Sequence, residues 1–226
     1  MSSTSSDSID FPKTFYMKLV DGRRYKRLFG QYVRMFKPNM SKPEKIYKIK
    51  DEDKNTKGYI TLLHSEVEKY ESDGMIFTSH NTEIYKMYNN NDELLYTYDT
   101  SNDYTESYTK KGTFTFTDVI TNHITNKKYT IKPPAPIKRT MTPLFAYDKH
   151  NNQVISIKFD LKKYMYNMAI DISGKNNAIG ESKQYKKGIR KVEFENTNDD
   201  NVIAIAMLLS ARMLTGSFAQ NIVQYY

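Results

Sequence analysis

The sequence contains no cysteine. Disulfides and thiolate metal sites are therefore excluded, and the chain fits a reducing compartment, since secreted β-domains often carry disulfides. Glycine is sparse, with nine residues scattered along the chain. Neither a phosphate-cradling Gly-rich loop nor a dinucleotide fingerprint can be built from them. No strand–turn–helix nucleophile elbow occurs. The four histidines, His64, His80, His123 and His150, show no metal-ligand spacing. His80 and His150 sit beside turn residues and are expected at the surface. The opening MSSTSSDSID has no basic segment and no apolar segment, so it does not read as a signal peptide. The expectation is a non-enzyme with no cofactor and no metal. Residues 1–11 are expected to form a disordered tail and residues 12–226 a single domain, since 226 residues can bury a sizeable core unaided.

Short runs of period two recur along the rest of the chain. They include 14–19, 45–50, 58–63, 74–78, 83–88, 93–98, 113–117, 128–132, 142–147, 153–159, 164–172 and 190–195. That is about a dozen strands at the spacing of an all-β sandwich or barrel. The 19 tyrosines suit such strands, where an aromatic packs inward or lies along a cross-strand pair. Asn89-Asn90-Asn91-Asp92 between two of the runs is a hairpin signal, and Asp148 to Asn152 is a second turn cluster. Pro133 to Pro136 interrupts the ladder, because proline has no N–H to donate, and is expected to mark a crossover or half-domain boundary.

One segment breaks the pattern. Val202 to Leu214 is apolar on every face through its first two turns. Asp199, Asp200 and Asn201 precede it as N-caps, and Gly216 suits the C-terminal cap. A helix over 200–214 is expected. A helix without a polar side must be surrounded. Spanning a bilayer takes about 20 apolar residues, and this run is shorter and interrupted by Ser210 and Arg212. The expectation is a helix buried in the protein core.

The combination of a dozen strands and an apolar C-terminal helix resembles the tubby C-terminal, LURP-one and phospholipid scramblase superfamily. The residues that carry the resemblance are 199–214, the strand 154–159 after the turn 148–152, and the strand 165–172. The likeness of order covers residues 12 to 216. It implies a mainly-β fold, a closed antiparallel β-barrel of about twelve strands around a buried hydrophobic C-terminal helix. It also implies a non-enzymatic module that docks on anionic membrane lipid. The scramblase calcium loop has no counterpart, because 196–201 lacks the spacing of calcium ligands.

Charge agrees in sign with such a partner. Lys and Arg number 34 against 26 Asp and Glu, a net charge of +8. Two clusters concentrate the excess: Arg23, Arg24, Lys26 and Arg27, and then Lys186, Lys187, Arg190 and Lys191. Cations in such clusters can take phosphate oxygens, those of arginine in pairs. The bland reading of both clusters is a solvated loop kept soluble by charge. Between Met87 and Tyr108 five acidic residues have no Lys or Arg among them, so charge is segregated along the chain. The leading expectation is docking on anionic phospholipid or phosphoinositide headgroups, by a cytoplasmic protein peripheral to a membrane. The alternatives are a nucleic-acid-binding β-domain, with exposed tyrosines stacking on bases, and a structural or scaffold protein.

Overall fold

The computed structural model describes residues 11–20, 25–28, 31–34, 43–66, 70–72, 75–77, 81–100, 104–105, 115–132, 144–159, 168–171, 178–186, 188–195, 197 and 199–215. Its strands are β1 (Thr14–Leu19), β2 (Tyr25–Leu28), β3 (Gln31–Arg34), β4 (Glu44–Lys50), β5 (Thr56–Glu66) and β6 (Tyr70–Ser72). Then come β7 (Met75–Phe77), β8 (Asn81–Asn89), β9 (Leu94–Asp99), β10 (Tyr104–Thr105), β11 (Thr115–Phe116) and β12 (Asp118–Asn122). The last six are β13 (Lys128–Lys132), β14 (Leu144–Tyr147), β15 (Gln153–Phe159), β16 (Met168–Asp171), β17 (Ala178–Lys186) and β18 (Ile189–Phe194), followed by the helix α1 (Asp200–Thr215). Twelve of the strands form one antiparallel sheet in the order β1-β18-β17-β16-β15-β14-β13-β12-β9-β8-β5-β4. β1 also pairs with β4, through Tyr16 to Leu19. The pairs β2–β3, β6–β7 and β10–β11 are separate two-stranded hairpins.

Period-two alternation gives the sheet an inner and an outer face. In β1, Phe15 and Met17 are buried while Lys18 is exposed. In β18, Arg190, Val192 and Phe194 point inward. The inner face shares one core with α1, in which every residue from Val202 to Ala211 is buried. The enclosure expected from the helix's all-round apolarity is therefore found. Among the described residues, no helix is long and apolar enough to cross a membrane.

Three turns repeat one hydrogen-bond design: 51–55, 89–93 and 148–152. In each, the first residue's N–H donates to the carbonyl four residues on, and the fourth residue's N–H donates back to the first carbonyl. The first residue is Asp51, Asn89 or Asp148, and its side-chain oxygen accepts further backbone N–H groups. The fourth, Lys54, Asp92 or Asn151, has positive φ. Asp and Asn at the first position compete for backbone donors in this way, which is why they read as turn formers in the sequence. The cross-strand registers place all three turns at the end of the sheet where α1 begins.

Polar contacts fix the helix along its axis. At its start, Asp199 accepts the Asn201 N–H at 2.9 Å, as an N-cap does. Asn122 Nδ2 donates to Asn201 Oδ1 at 2.7 Å and to the Tyr96 hydroxyl at 3.0 Å. At its end, Arg212 is bonded to Asp118 and to the Tyr98 hydroxyl, which itself donates to Asp118 at 2.8 Å. Asp118, Ile120 and Asn122 are successive inward positions of β12. Four residues of strand rise about 13 Å, and the eleven residues from Asn201 to Arg212 rise about 16 Å. One strand thus gauges the helix at both ends. Burial pushes the Asp118 carboxyl up, and Arg212 opposes that rise.

The structure corrects the strand list: β2, β3, β6 and β10 are additional hairpin strands, and the run 74–78 contributes Met75–Phe77 to the separate hairpin with β6. The run 113–117 was expected in the main ladder, but among its described residues only Thr115 and Phe116 pair, and they pair with β10. The ladder strand is β12, whose inward residues Asp118 and Asn122 are polar, so hydropathy hides its period. The strand β17 was not expected at all. Its inward positions Gly180 and Ser182 face Phe194 and Val192, small against large. A Cβ at Gly180 would stand 2.4 Å from the Glu193 carbonyl oxygen, so no larger residue fits. The Pro133–Pro136 crossover, the Gly216 cap and much of the expected strand 164–172 lie outside the described residues.

Two stability changes follow. Leu208→Ala, at a fully buried helix position, is expected to lower the unfolding free energy by about 2–5 kcal/mol in denaturant titration. Arg212→Met leaves Asp118 buried without its cation and is expected to cost about 3–5 kcal/mol at neutral pH. The folded-state pKa of Asp118 is already raised, so its ionisation costs stability as pH rises above the ordinary carboxylate value. The Arg212→Met deficit should therefore shrink as pH falls, and a deficit independent of pH would contradict the assignment.

Candidate anion-binding surface

Only part of the two expected basic clusters falls within the described residues. Arg23, Arg24 and Lys187 lie outside the described residues. Lys26 and Arg27 lie on β2, in the hairpin with β3, which is not part of the twelve-stranded sheet. The second cluster is a hairpin, β17 to β18, and not a loop. Alternation then divides it. Lys191 is on the outer face, while Arg190 is 4% exposed and faces inward, opposite Met17 and Gln184. Arg190 is thereby removed from any docking surface, because consecutive strand residues point to opposite faces.

What the sheet brings together is lysine from distant parts of the sequence. On the outer face of adjacent strands, Tyr16 stands opposite both Lys191 and Lys50, and Lys18 stands opposite Lys48. Lys48 in turn faces Tyr59, which faces Tyr88. The two rings stack with centroids 5.0 Å apart. The Lys45 ammonium lies 3.8 Å from the Tyr59 centroid. At the other side, a bulge between Gln184 and Lys186 turns Tyr185 outward, where it is 52% exposed. Its ring meets the edge of Tyr16 at 5.3 Å, and the Lys186 ammonium stands 5.2 Å from it. No sequence window holds this surface; only register does.

The lysines differ in their partners. Lys183 and Lys191 are directly opposite one another. Lys191 is bonded to Glu193, and Lys183 to Glu181, with Glu193 a further 3.4 Å away. The hydrogen bond from Lys191 holds the Glu193 carboxyl below its ordinary value, and the same bond holds the Lys191 ammonium above its own. These four charges balance. Lys18 and Lys48 are both exposed, and neither has a carboxylate at ion-pair distance among the described residues.

Elsewhere the polar chemistry is structural. His150 is exposed in its turn, as expected, and His123 shares a hydrogen bond of 2.8 Å with Thr97. Among the described residues no three His, Asp or Glu side chains are placed to hold a metal ion.

No protein-family model matches the chain, and no curated protein matches it. The X-ray structure of a protein from Arabidopsis thaliana is similar to it at 10% sequence identity, over 88% of this chain and 90% of that one, with a TM-score of 0.45. A likeness of that size carries no argument. The fold stated here, mainly β with twelve antiparallel strands in one sheet and one C-terminal helix, rests on the strand pairings and the helix themselves.

Tyr59 offers a local check on the outer face. Its hydroxyl donates to Asp92 at 2.6 Å. Partial burial and that carboxylate push its pKa up to about 12. A raised folded-state value means a contribution intact below the ordinary tyrosine pKa and lost as pH rises toward 12. Tyr59→Phe is expected to remove one tyrosinate absorbance step near pH 12, and loss of an ordinary step near 10 would contradict the contact.

Proposed function

We propose that this chain is a non-enzymatic binding module of the tubby-like kind, its sheet closed as a barrel round α1, which docks on anionic phospholipid headgroups, phosphoinositides among them. The observation that supports the reading best is the run of lysines on the outer face of β17, β18, β1, β4, β5 and β8, in a chain with a net charge of +8. The inner face is taken up by α1, so a partner has to be met from outside. Each lysine held near an anionic bilayer contributes about 1 kcal/mol, and flexible ammonium arms suit headgroups without fixed geometry. Residues of the two expected clusters that remain candidates are Arg23, Arg24, Lys26, Arg27, Lys186, Lys187 and Lys191. The docking is peripheral, from the cytoplasmic side.

The test is co-sedimentation with vesicles of neutral phosphatidylcholine alone, and with added phosphatidylserine or phosphatidylinositol bisphosphate. Retention on the anionic vesicles is expected, falling as salt is added. Equal partitioning on neutral vesicles would sink the reading. Salt-sensitive binding of a single-stranded oligonucleotide with none to vesicles would replace it by the nucleic-acid alternative.

A further inference from the structure

Lys18 and Lys48 occupy directly opposed positions on neighbouring strands. Like charges so placed oppose folding by a fraction of a kcal/mol up to about 1 kcal/mol. The same fold shows how such a conflict is resolved elsewhere. Lys183 and Lys191 are also opposed, but Glu181 and Glu193 neutralise them. No acid does this for Lys18 and Lys48 among the described residues. A local conflict without internal compensation is expected where a surface is kept for a partner.

The row continues sideways. Ile189 faces Lys18 on one side and Lys186 on the other. Lys186, Ile189, Lys18 and Lys48 therefore lie across four adjacent strands, a span of about 14 Å at strand spacing. Lys186 ends β17, and Lys18 is one residue from the end of β1. By the registers, Lys186 and Lys18 stand at the end of the sheet where α1 terminates, and the row runs from there to Lys48, two residues from the other end of β4. Two of the three large apolar or aromatic side chains exposed among the described residues are beside the row. Val20 is 44% exposed just past Lys18, and Tyr185 is 52% exposed just before Lys186.

From this juxtaposition we infer that the outer-face row of Lys18, Lys48 and Lys186, with Val20 and Tyr185 beside it, is the face that meets the anionic bilayer. The inference rests on the lipid reading above and adds to it a location and an orientation. Three ammonium groups engage headgroup phosphates, relieving the Lys18–Lys48 repulsion. The tyrosine ring and the valine sit at the level where an amphipathic or apolar tip is favoured over water. A nucleic acid would reward the lysines and the ring but gain nothing from Val20, so the bilayer is the better fit.

The experiment uses the full chain and vesicles containing phosphatidylinositol bisphosphate, with thermal unfolding measured on the same samples. Lys18→Glu places a carboxylate opposite Lys48. It should keep or raise the melting temperature while weakening vesicle affinity about tenfold or more. Lys48→Glu should do the same. Lys132→Glu makes an equal charge change on β13, where the ammonium is bonded to Asn151 at 2.9 Å and lies 4.4 Å from the Tyr147 centroid. Its affinity should stay within about twofold of the unaltered chain. Equal losses at Lys18, Lys48 and Lys132, or no loss at Lys18 and Lys48, would overturn the location while leaving lipid binding intact. Failure of the unaltered chain to bind any anionic vesicle would overturn the lipid reading itself. Loss of oligonucleotide binding at Lys18→Glu with vesicle binding preserved would also refute the proposed bilayer face.

Discussion

Helix α1 has no side that water could wet between Val202 and Ala211, and the strands have to be arranged around that fact. Its six large apolar side chains in this stretch are worth on the order of 10 kcal/mol on burial, which is the scale of a domain's whole net stability. One flat sheet covers only one side of a helix. Inward-facing Phe15, Ile60, Tyr85, Ile131 and Ile157, from five of the twelve antiparallel strands, join the helix in one core. The apolar core alone would let the helix slide or rotate, because burial is non-directional. Asn122 with Asn201 and Asp118 with Arg212 remove that freedom, since each pair is satisfied at one depth of insertion only. The buried charges are costly by themselves, and setting the helix's register is the return.

Much of the fold was legible in the sequence because its signals are local. The period of β1, β4 and β8, the Asp or Asn that opens each repeated turn, and the all-round apolarity of α1 can each be read within a dozen residues. The failures have one physical cause. β12 and β17 carry polar or small residues at inward positions, so their alternation is not one of hydropathy. Asp118 and Asn122 are polar because they grip the helix, and Gly180 and Ser182 are small because Phe194 and Val192 face them. Both requirements come from partners distant in the chain, and a window of sequence contains neither partner.

The candidate surface was legible only in its net sign. Counting cations along the chain finds Lys186 to Lys191, but a strand sends Arg190 inward and Lys191 outward. Conversely, Lys18 and Lys48 attract no notice as a pair in the sequence, being thirty residues apart. Antiparallel register makes them neighbours. Charge clustering in a β-protein is therefore a property of columns across strands, and a linear cluster overstates the local charge by the fraction that alternation diverts to the core.

The same division explains how the inner and outer faces serve different ends. Inside, the Arg212 charge has its counter-charge in Asp118, because leaving either buried ion unpaired would cost several kcal/mol. Outside, solvent screening makes an unpaired charge cheap, so Lys18 and Lys48 can remain opposed at a cost the core easily covers. The enclosed helix supplies that margin. It anchors the core, and by doing so it leaves the outer face free to carry a charge pattern that stability alone would not select.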